Sequence, residues 1–450
     1  MYILLALVIF SVLIFIHELG HFLVARMCGV GILEFAIGMG PKLISWVSKK
    51  SGIRYSLRAF PIGGFVSMLG ENGMEAVQGS SQSDELLLNE DEPDEDSTAE
   101  QSQPDPELAK RAYCNQSVWK RILISLAGPA MNVILGFVLM LVMVLASGHA
   151  AAGTTEIAGF FVQYTAEESY AGLESKDYVY FVDGYEIRSM QDVQKIVASK
   201  GENATFSVTV RRLIENRVEE ITLESVPLSE AVLAERFTTS LSAQSGLKIG
   251  DQVIRVNNVR VYTAYELNYE VMNQGHKPLE LIVLRDGEKI VLENVILPQY
   301  SESGAVFGDP DFIVYREPAF NVLTVLKHTW HRSTSTVKMV FDSLFGLFSG
   351  RYGMEAVSGP VGITKTISEA AKTGWLNVLY LVTVISINLG VMNLVPFPAL
   401  DGGHLLLYFI EVIRRKPVKR EVEGIINFIG LIIIMALAVL IAMKDIYNLF

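Results

Sequence analysis

Ile14-Phe15-Ile16-His17-Glu18-Leu19-Gly20-His21-Phe22-Leu23-Val24 sets two histidines and a glutamate inside a stretch that is otherwise apolar from residue 1 to about residue 27. Histidines four residues apart project from one face of a helix, about one turn apart, which suits Zn²⁺ with the intervening glutamate as general base. As a bare pattern this is weak. Its surroundings strengthen it, because ionisable side chains within an apolar helix are costly unless they pair or bind something. A metal compensates three such groups in five residues better than packing against other helices does. The stretch lacks a basic leading region and a small-residue cleavage site, so it is expected to remain as a permanent helix rather than a signal peptide.

Working outward, half of the 450 residues are hydrophobic and the mean hydropathy is positive. Three further apolar stretches, roughly 118–146, 376–398 and 424–443, approach or exceed the ~20 residues that cross a bilayer. Four membrane spans are expected. The net charge of −12 is concentrated in residues 71–107, which are acidic, rich in Ser, Gln and Pro, and free of Lys and Arg. That composition reads as a disordered acidic insert. The remainder is nearly neutral, with no clustered basic face, so nucleic-acid binding is not expected. Two cysteines, Cys28 and Cys114, indicate no disulfide framework.

Residues 52–69 alternate apolar and polar positions up to a Pro-Ile-Gly-Gly break and read as a strand pair. From about 150 to 300 the chain repeats itself. Ala171-Gly172-Leu173-Glu174-Ser175-Lys176-Asp177 aligns with Ser245-Gly246-Leu247-Lys248-Ile249-Gly250-Asp251, and each copy continues into a short strand and a helix-like segment. Two copies of one small domain in tandem are expected, the first the more degenerate, with Lys176 where the second has Gly250. Residues 318–346 read as an amphipathic helix suited to a membrane surface; His328 and His331 on it are read as ordinary interfacial residues. Basic residues follow the first span (Arg26, Lys42, Lys49, Lys50, Arg54, Arg58) and the third (Arg414, Arg415, Lys416, Lys419, Arg420). Both loops should therefore face the cytoplasm, with the repeats outside.

Catalytic zinc needs a third protein ligand and an open position. Asp401 is the best candidate, in Asn393-Leu394-Val395-Pro396-Phe397-Pro398-Ala399-Leu400-Asp401-Gly402-Gly403-His404, where two prolines break the helix. An Asp before Gly-Gly is also a common turn former.

Taken together, His17-Glu18-Leu19-Gly20-His21, Pro61-Ile62-Gly63-Gly64-Phe65-Val66-Ser67-Met68, Gly128-Pro129-Ala130-Met131-Asn132, Ser358-Gly359-Pro360-Val361-Gly362-Ile363 and the Asp401 run resemble the bacterial site-2 proteases, of the regulator-of-sigma-E protease type. The resemblance covers nearly the whole chain. It implies a polytopic α-helical membrane protein with about four transmembrane helices, a membrane-associated β segment and two tandem extracytoplasmic PDZ-like α+β domains. The expected divisions are 1–70 (first helix, zinc motif, β segment), 71–107 (insert), 108–150 (second helix), 151–225 and 226–300 (the PDZ-like domains), 301–375 (amphipathic helix and connector) and 376–450 (third and fourth helices).

The implied activity is zinc-dependent intramembrane proteolysis in the bacterial inner membrane, with the active site near the cytoplasmic side. His17, His21 and Asp401 would bind Zn²⁺ and Glu18 would be the base. Asn388, Asn393 and the strand residues Phe65 and Val66 would contact substrate. Single-pass membrane proteins such as anti-sigma factors or remnant signal peptides are the implied substrates. The rival reading is a catalytically inactive membrane PDZ scaffold; a metal-ion transporter would need more than one membrane-depth ligand cluster.

Overall fold

A computed structural model of the chain describes residues 2–71, 110–201, 204–214, 217–239, 241–274, 277–295, 312–350, 353 and 357–447. The expected acidic insert lies outside these residues except for Glu71. The chain forms two compact units, Met1–Met143 with Thr336–Phe450, and Val144–Ser335.

The first unit begins with helix α1 (Tyr2–Met27). It stops at Gly29, whose φ of 79° lets the Val30 N–H turn back to the Ala25 carbonyl at 3.0 Å, a glycine-capped ending. Strands β1 (Ile32–Val47) and β2 (Arg54–Met68) are each long and bent. Residues 32–37 pair with 64–68, while 42–47 pair with 54–58, and Ala36 stands between Ser56 and Phe65. Two strands thus give a sheet four segments wide. Within it Glu34 accepts hydrogen bonds from Ser56 Oγ (2.5 Å) and Arg58 Nη2 (2.9 Å). Burial alone would raise the Glu34 pKa, but these two donors hold it below the ordinary carboxylate value. Met39, Leu43, Ile44, Trp46 and Phe60 are exposed, an apolar hairpin end suited to lipid. Helix α2 (Val118–Ser147) follows.

The second unit carries the repeat. Its first part runs β3 (Gly153–Phe160), β4 (Val162–Tyr164), β5 (Tyr178–Val182), β6 (Tyr185–Glu186), α3 (Met190–Lys200), β7 (Thr205–Ile214), β8 (Arg217–Pro227), α4 (Glu230–Arg236) and β9 (Phe237–Thr239). Then come α5 (Leu241–Gln244), β10 (Gln252–Val256), β11 (Val259–Arg260), α6 (Ala264–Gln274), β12 (Leu279–Arg285), β13 (Glu288–Val295) and β14 (Phe312–Arg316). Polar devices recur in both copies. Asp177, fully buried, accepts from Arg212 Nε and Nη2 and from the Glu174 N–H. Asp251, also fully buried, accepts from Arg285 Nε and Nη2 and from the Lys248 N–H. Both arginines reach on to a glycine carbonyl, Gly172 or Gly246. Ser189 with Asp192 starts α3 as Thr263 with Glu266 starts α6. Lys176 sits at φ 75° and Gly250 at φ 91°, so the lysine occupies a left-handed position that costs roughly 1 kcal/mol more than glycine.

Strand membership crosses the expected division at 225/226. One sheet has the order β8-β7-β5-β4-β9 and the other β13-β12-β10-β3-β14. The Tyr164 N–H bonds the Asp177 carbonyl, and the Ile157 N–H bonds the Asp251 carbonyl in the same way. The strand that completes the second copy is therefore β3, from before the first copy, and β9 closes the first sheet instead. The two modules are nested, with 162–239 inserted into 153–160, 241–295 and 312–316. The expected division gave residues 237–239 to the second copy, whereas β9 pairs with β4 in the first sheet.

Helix α7 (Val322–Phe348) exposes Leu323, Leu326, Trp330, Phe341 and Phe345 while His328, Ser333 and Thr336 are buried. This inverts the pattern of a helix on a soluble core and suits the membrane interface expected for it. The chain then returns to the first unit with α8 (Pro360–Thr373), α9 (Trp375–Asn393), α10 (Asp401–Arg414) and α11 (Arg420–Tyr447). Asp445 anchors the start of α8 by accepting from the Gly359 (2.9 Å) and Gly362 (2.8 Å) N–H groups. Among the described residues four helices, at Ile3–Met27, Val118–Ala151, Trp375–Asn393 and Glu421–Asp445, are long and apolar enough to cross a membrane. These match the four expected stretches. α11 exposes apolar side chains over most of its circumference, as a lipid-facing helix does, and packs only the face that carries Asn427, Gly430 and Asp445.

Candidate metal centre

His17 and His21 lie on one face of α1, and Asp401 is the first residue of α10. The structure brings all three together. His17 Nε2 is 3.1 Å and His21 Nε2 is 3.4 Å from Asp401 Oδ2, and the two nitrogens are 3.2 Å apart. Bonds of about 2.0–2.1 Å at tetrahedral angles hold zinc ligand atoms roughly 3.3 Å from one another, so the donor triangle has the size this ion needs.

Protonation supports the same reading. His21 Nδ1 lies 2.8 Å from the Ile124 carbonyl oxygen, which can only accept, so the proton is on Nδ1 and the Nε2 lone pair faces the triangle. His17 Nδ1 meets the Asn132 amide at 3.2 Å, while Asn132 Oδ1, in a fully buried residue, has no partner. Turning that amide end for end gives Oδ1 the His17 Nδ1 proton and directs the second Nε2 lone pair inward. Two lone pairs and a carboxylate oxygen then converge, an arrangement that a cation stabilises.

Small residues make room for it. A Cβ on Gly128 would fall 2.7 Å from His21 Cε1 and closer still to Nε2. One on Gly20 would meet the Ala127 carbonyl, so the two helices touch backbone to backbone beside the site. Asp401 is aimed by the Pro-Phe-Pro loop: Gly402 and Gly403 pack against the carbonyls of Val395 and Phe397, where a Cβ has no room. The loop is held to α11 by the Ala399 N–H on Asn427 Oδ1.

Glu18, next to both histidines, has its carboxylate hydrogen-bonded by the Val66 N–H, and its Cγ lies against Gly64. The 64–68 edge of the sheet therefore flanks the triangle. Val66 is buried there, and Phe65 lies under the Arg58 guanidinium, 4.8 Å from ring centroid to Cζ. Asn388 is exposed on α9 and Asn393 is half-buried at its end; among the described residues neither has a hydrogen-bond partner in the trio. Sequence reasoning quoted Asn132 within a motif but gave it no role at the site, and it missed the Ile124 carbonyl. A buried Asn at membrane depth was the available signal.

The model of peptidase family M50 matches residues 5–437. The chain is similar to the zinc metalloprotease RasP of Bacillus licheniformis, at 29% identity over 98% of both chains. It is also similar to the regulator of sigma-W protease RasP of Bacillus subtilis, at 27% identity over 98% of this chain and 97% of that one. A putative zinc metalloprotease of Thermotoga maritima is 28% identical over 96% of each.

Proposed function

The chain belongs to peptidase family M50 and is a membrane zinc metalloprotease of the site-2 type, and on that footing we propose that it cuts single-pass proteins within or beside their membrane spans. In this reading His17, His21 and Asp401 hold Zn²⁺ and Glu18 is the general base. The observation that carries it is the triangle of donor atoms 3.1–3.4 Å apart with Glu18 beside it. Bound there, the ion supplies Lewis acidity that polarises a carbonyl and brings the pKa of water towards ~7.

Glu18 takes the proton of the attacking water and passes it to the departing amide nitrogen. The Val66 N–H fixes one side of that carboxylate. A transmembrane helix hides its carbonyls, so the substrate must unwind locally before attack. The 64–68 edge offers a place for the unwound segment to add as a strand, where main-chain bonds give affinity with little sequence preference; Phe65 and Val66 belong to that edge. Asn388 and Asn393 are proposed to meet substrate from α9.

The basic loops after the first and third spans support a centre near the cytoplasmic face, with the two PDZ-like modules outside. One relative is named a regulator of sigma-W protease, which supports anti-sigma factors as substrates; remnant signal peptides are the other class. The test is purified Glu18→Gln protein incubated with a single-pass substrate. Cleavage should be abolished while zinc stays stoichiometric. Retained turnover would rule out Glu18 as the base.

A further inference from the structure

Asp401 starts α10, and the turn that delivers it is Pro396-Phe397-Pro398-Ala399-Leu400. Ala399, two residues before Asp401, sits at φ 70°. In that left-handed region a Cβ crowds the following carbonyl oxygen, a strain that only glycine escapes. A residue with a Cβ stays there only where its surroundings hold it.

Those surroundings are one face of α11. Asn427 Oδ1 accepts the Ala399 N–H at 3.3 Å. One turn further on, Gly430 lies against Pro398: a Cβ there would stand 2.6 Å from the Pro398 carbonyl oxygen and closer still to the proline Cβ. One turn back, Glu423 Oε1 meets His404 Nδ1 at 3.1 Å, three residues beyond Asp401. Residues 423, 427 and 430 are four and three apart and so share a face, whereas Ile425, Phe428 and Ile432 are exposed. A carboxylate and an amide are costly on an otherwise apolar, lipid-facing helix unless each has a partner. Here the two partners, His404 and Ala399, flank Asp401 on either side.

We propose that Asn427 is a positioning residue for zinc: it holds Ala399 in the left-handed conformation and so fixes the turn that aims Asp401 Oδ2 at the two histidine nitrogens. Gly430 and Glu423 clamp the same turn before and after it. The inference rests on Asp401 being a zinc ligand. Without the Asn427 carbonyl the turn relaxes towards negative φ and carries the carboxylate with it, and metal–ligand distances tolerate only about 0.2 Å. Partners that orient a ligand are worth about 10–100-fold in metal affinity. Glycine at 399 would hold the same conformation without strain, which makes Asn427 dispensable.

The full chain in detergent micelles is dialysed against graded chelator well below its unfolding temperature, and zinc per chain is measured. Asn427→Leu and Asn427→Ala should each lose zinc at about tenfold less chelator than the parent, and the visible ligand-field bands of their Co²⁺ forms should shift. A contact that only supported folding would move the unfolding temperature and neither of these. Adding Ala399→Gly to either variant should restore most of the zinc retention and the parental Co²⁺ spectrum. Phe428→Leu, next to Asn427 but facing lipid, should match the parent. Parental zinc retention in either Asn427 variant, while Asp401→Asn loses zinc, overturns the proposal and leaves the ligand reading standing; parental retention in Asp401→Asn as well overturns both. Zinc loss that Ala399→Gly does not restore also overturns the proposal, because the effect would then not run through the Ala399 turn.

Discussion

Gly128→Ala puts one methyl group where the His21 imidazole now lies. The added Cβ would be 2.7 Å from Cε1 and 2.8 Å from Cδ2, whereas carbon atoms rest at about 3.5 Å or more. The ring must retreat by roughly 0.8 Å, and metal–ligand distances tolerate only about 0.2 Å. The retreat also stretches the 2.8 Å bond to the Ile124 carbonyl that sets the tautomer. Losing such a supporting contact lowers metal affinity by about 10–100-fold, and displacing the ligand itself should reach at least the upper end. Zinc per chain is measured after dialysis against graded chelator, and half-loss should shift to about 100-fold less chelator. Gly136→Ala is the control on the same helix: its Cβ would press on the fully buried Ile387 side chain, most closely at Cγ1, and on none of the ligand residues, so stability should fall while zinc retention holds. If Gly128→Ala keeps parental zinc retention and cleavage, the close approach at His21 is not what shapes this centre.

Asp401→Asn should lower zinc retention in the same assay, because a neutral amide is a poorer partner for a cation than a carboxylate; parental metal content with full cleavage would remove Asp401 from the ligand set. Asp251→Ala leaves the Arg285 guanidinium half-enclosed without its bidentate partner and should destabilise the 144–335 unit by about 3–5 kcal/mol, read by limited proteolysis in urea; a loss under ~1 kcal/mol would show that the repeated ion pair is dispensable. His328 is buried, and desolvation lowers its pKa below 6.5, so the unfolded state binds its proton more readily. Stability from this group is complete above about pH 6.5 and is lost as pH falls below it, so backbone hydrogen exchange at the start of α7 should quicken from there downward. His328→Gln should remove that component, and an unchanged profile would refute it.

The spans, the histidine pair and the repeat were legible in the sequence because each is local or strictly periodic. Asp401 was legible only as one of two readings, since nothing near it in sequence tells a turn-forming Asp from one aimed by Gly402 and Gly403 lying on the carbonyls of the preceding loop. Asn132 and the Ile124 carbonyl escaped because orienting a histidine is a matter of which helix lies alongside. Residues 52–69 read as a strand pair by themselves, whereas 54–68 is one bent strand whose two halves both pair with 32–47 and not with each other, a partner that the local alternation did not reveal. The nesting of the modules was invisible for a related reason: residues 162–164 and 237–239 occupy equivalent places in the two copies, yet both lie in one sheet.

That nesting sets an order in time. β3 leaves the ribosome roughly 150 residues ahead of β14, its partner at the open side of the second sheet. At about 5–20 residues per second, the interval is on the order of 10–30 s. The inserted module, complete once β9 has emerged, is free to close during that wait, whereas the enclosing one stays unfinished until Arg316 is made. A premature stop between 257 and 311 would therefore leave one folded module beside an enclosing sheet in which β3 is paired on its β10 side alone.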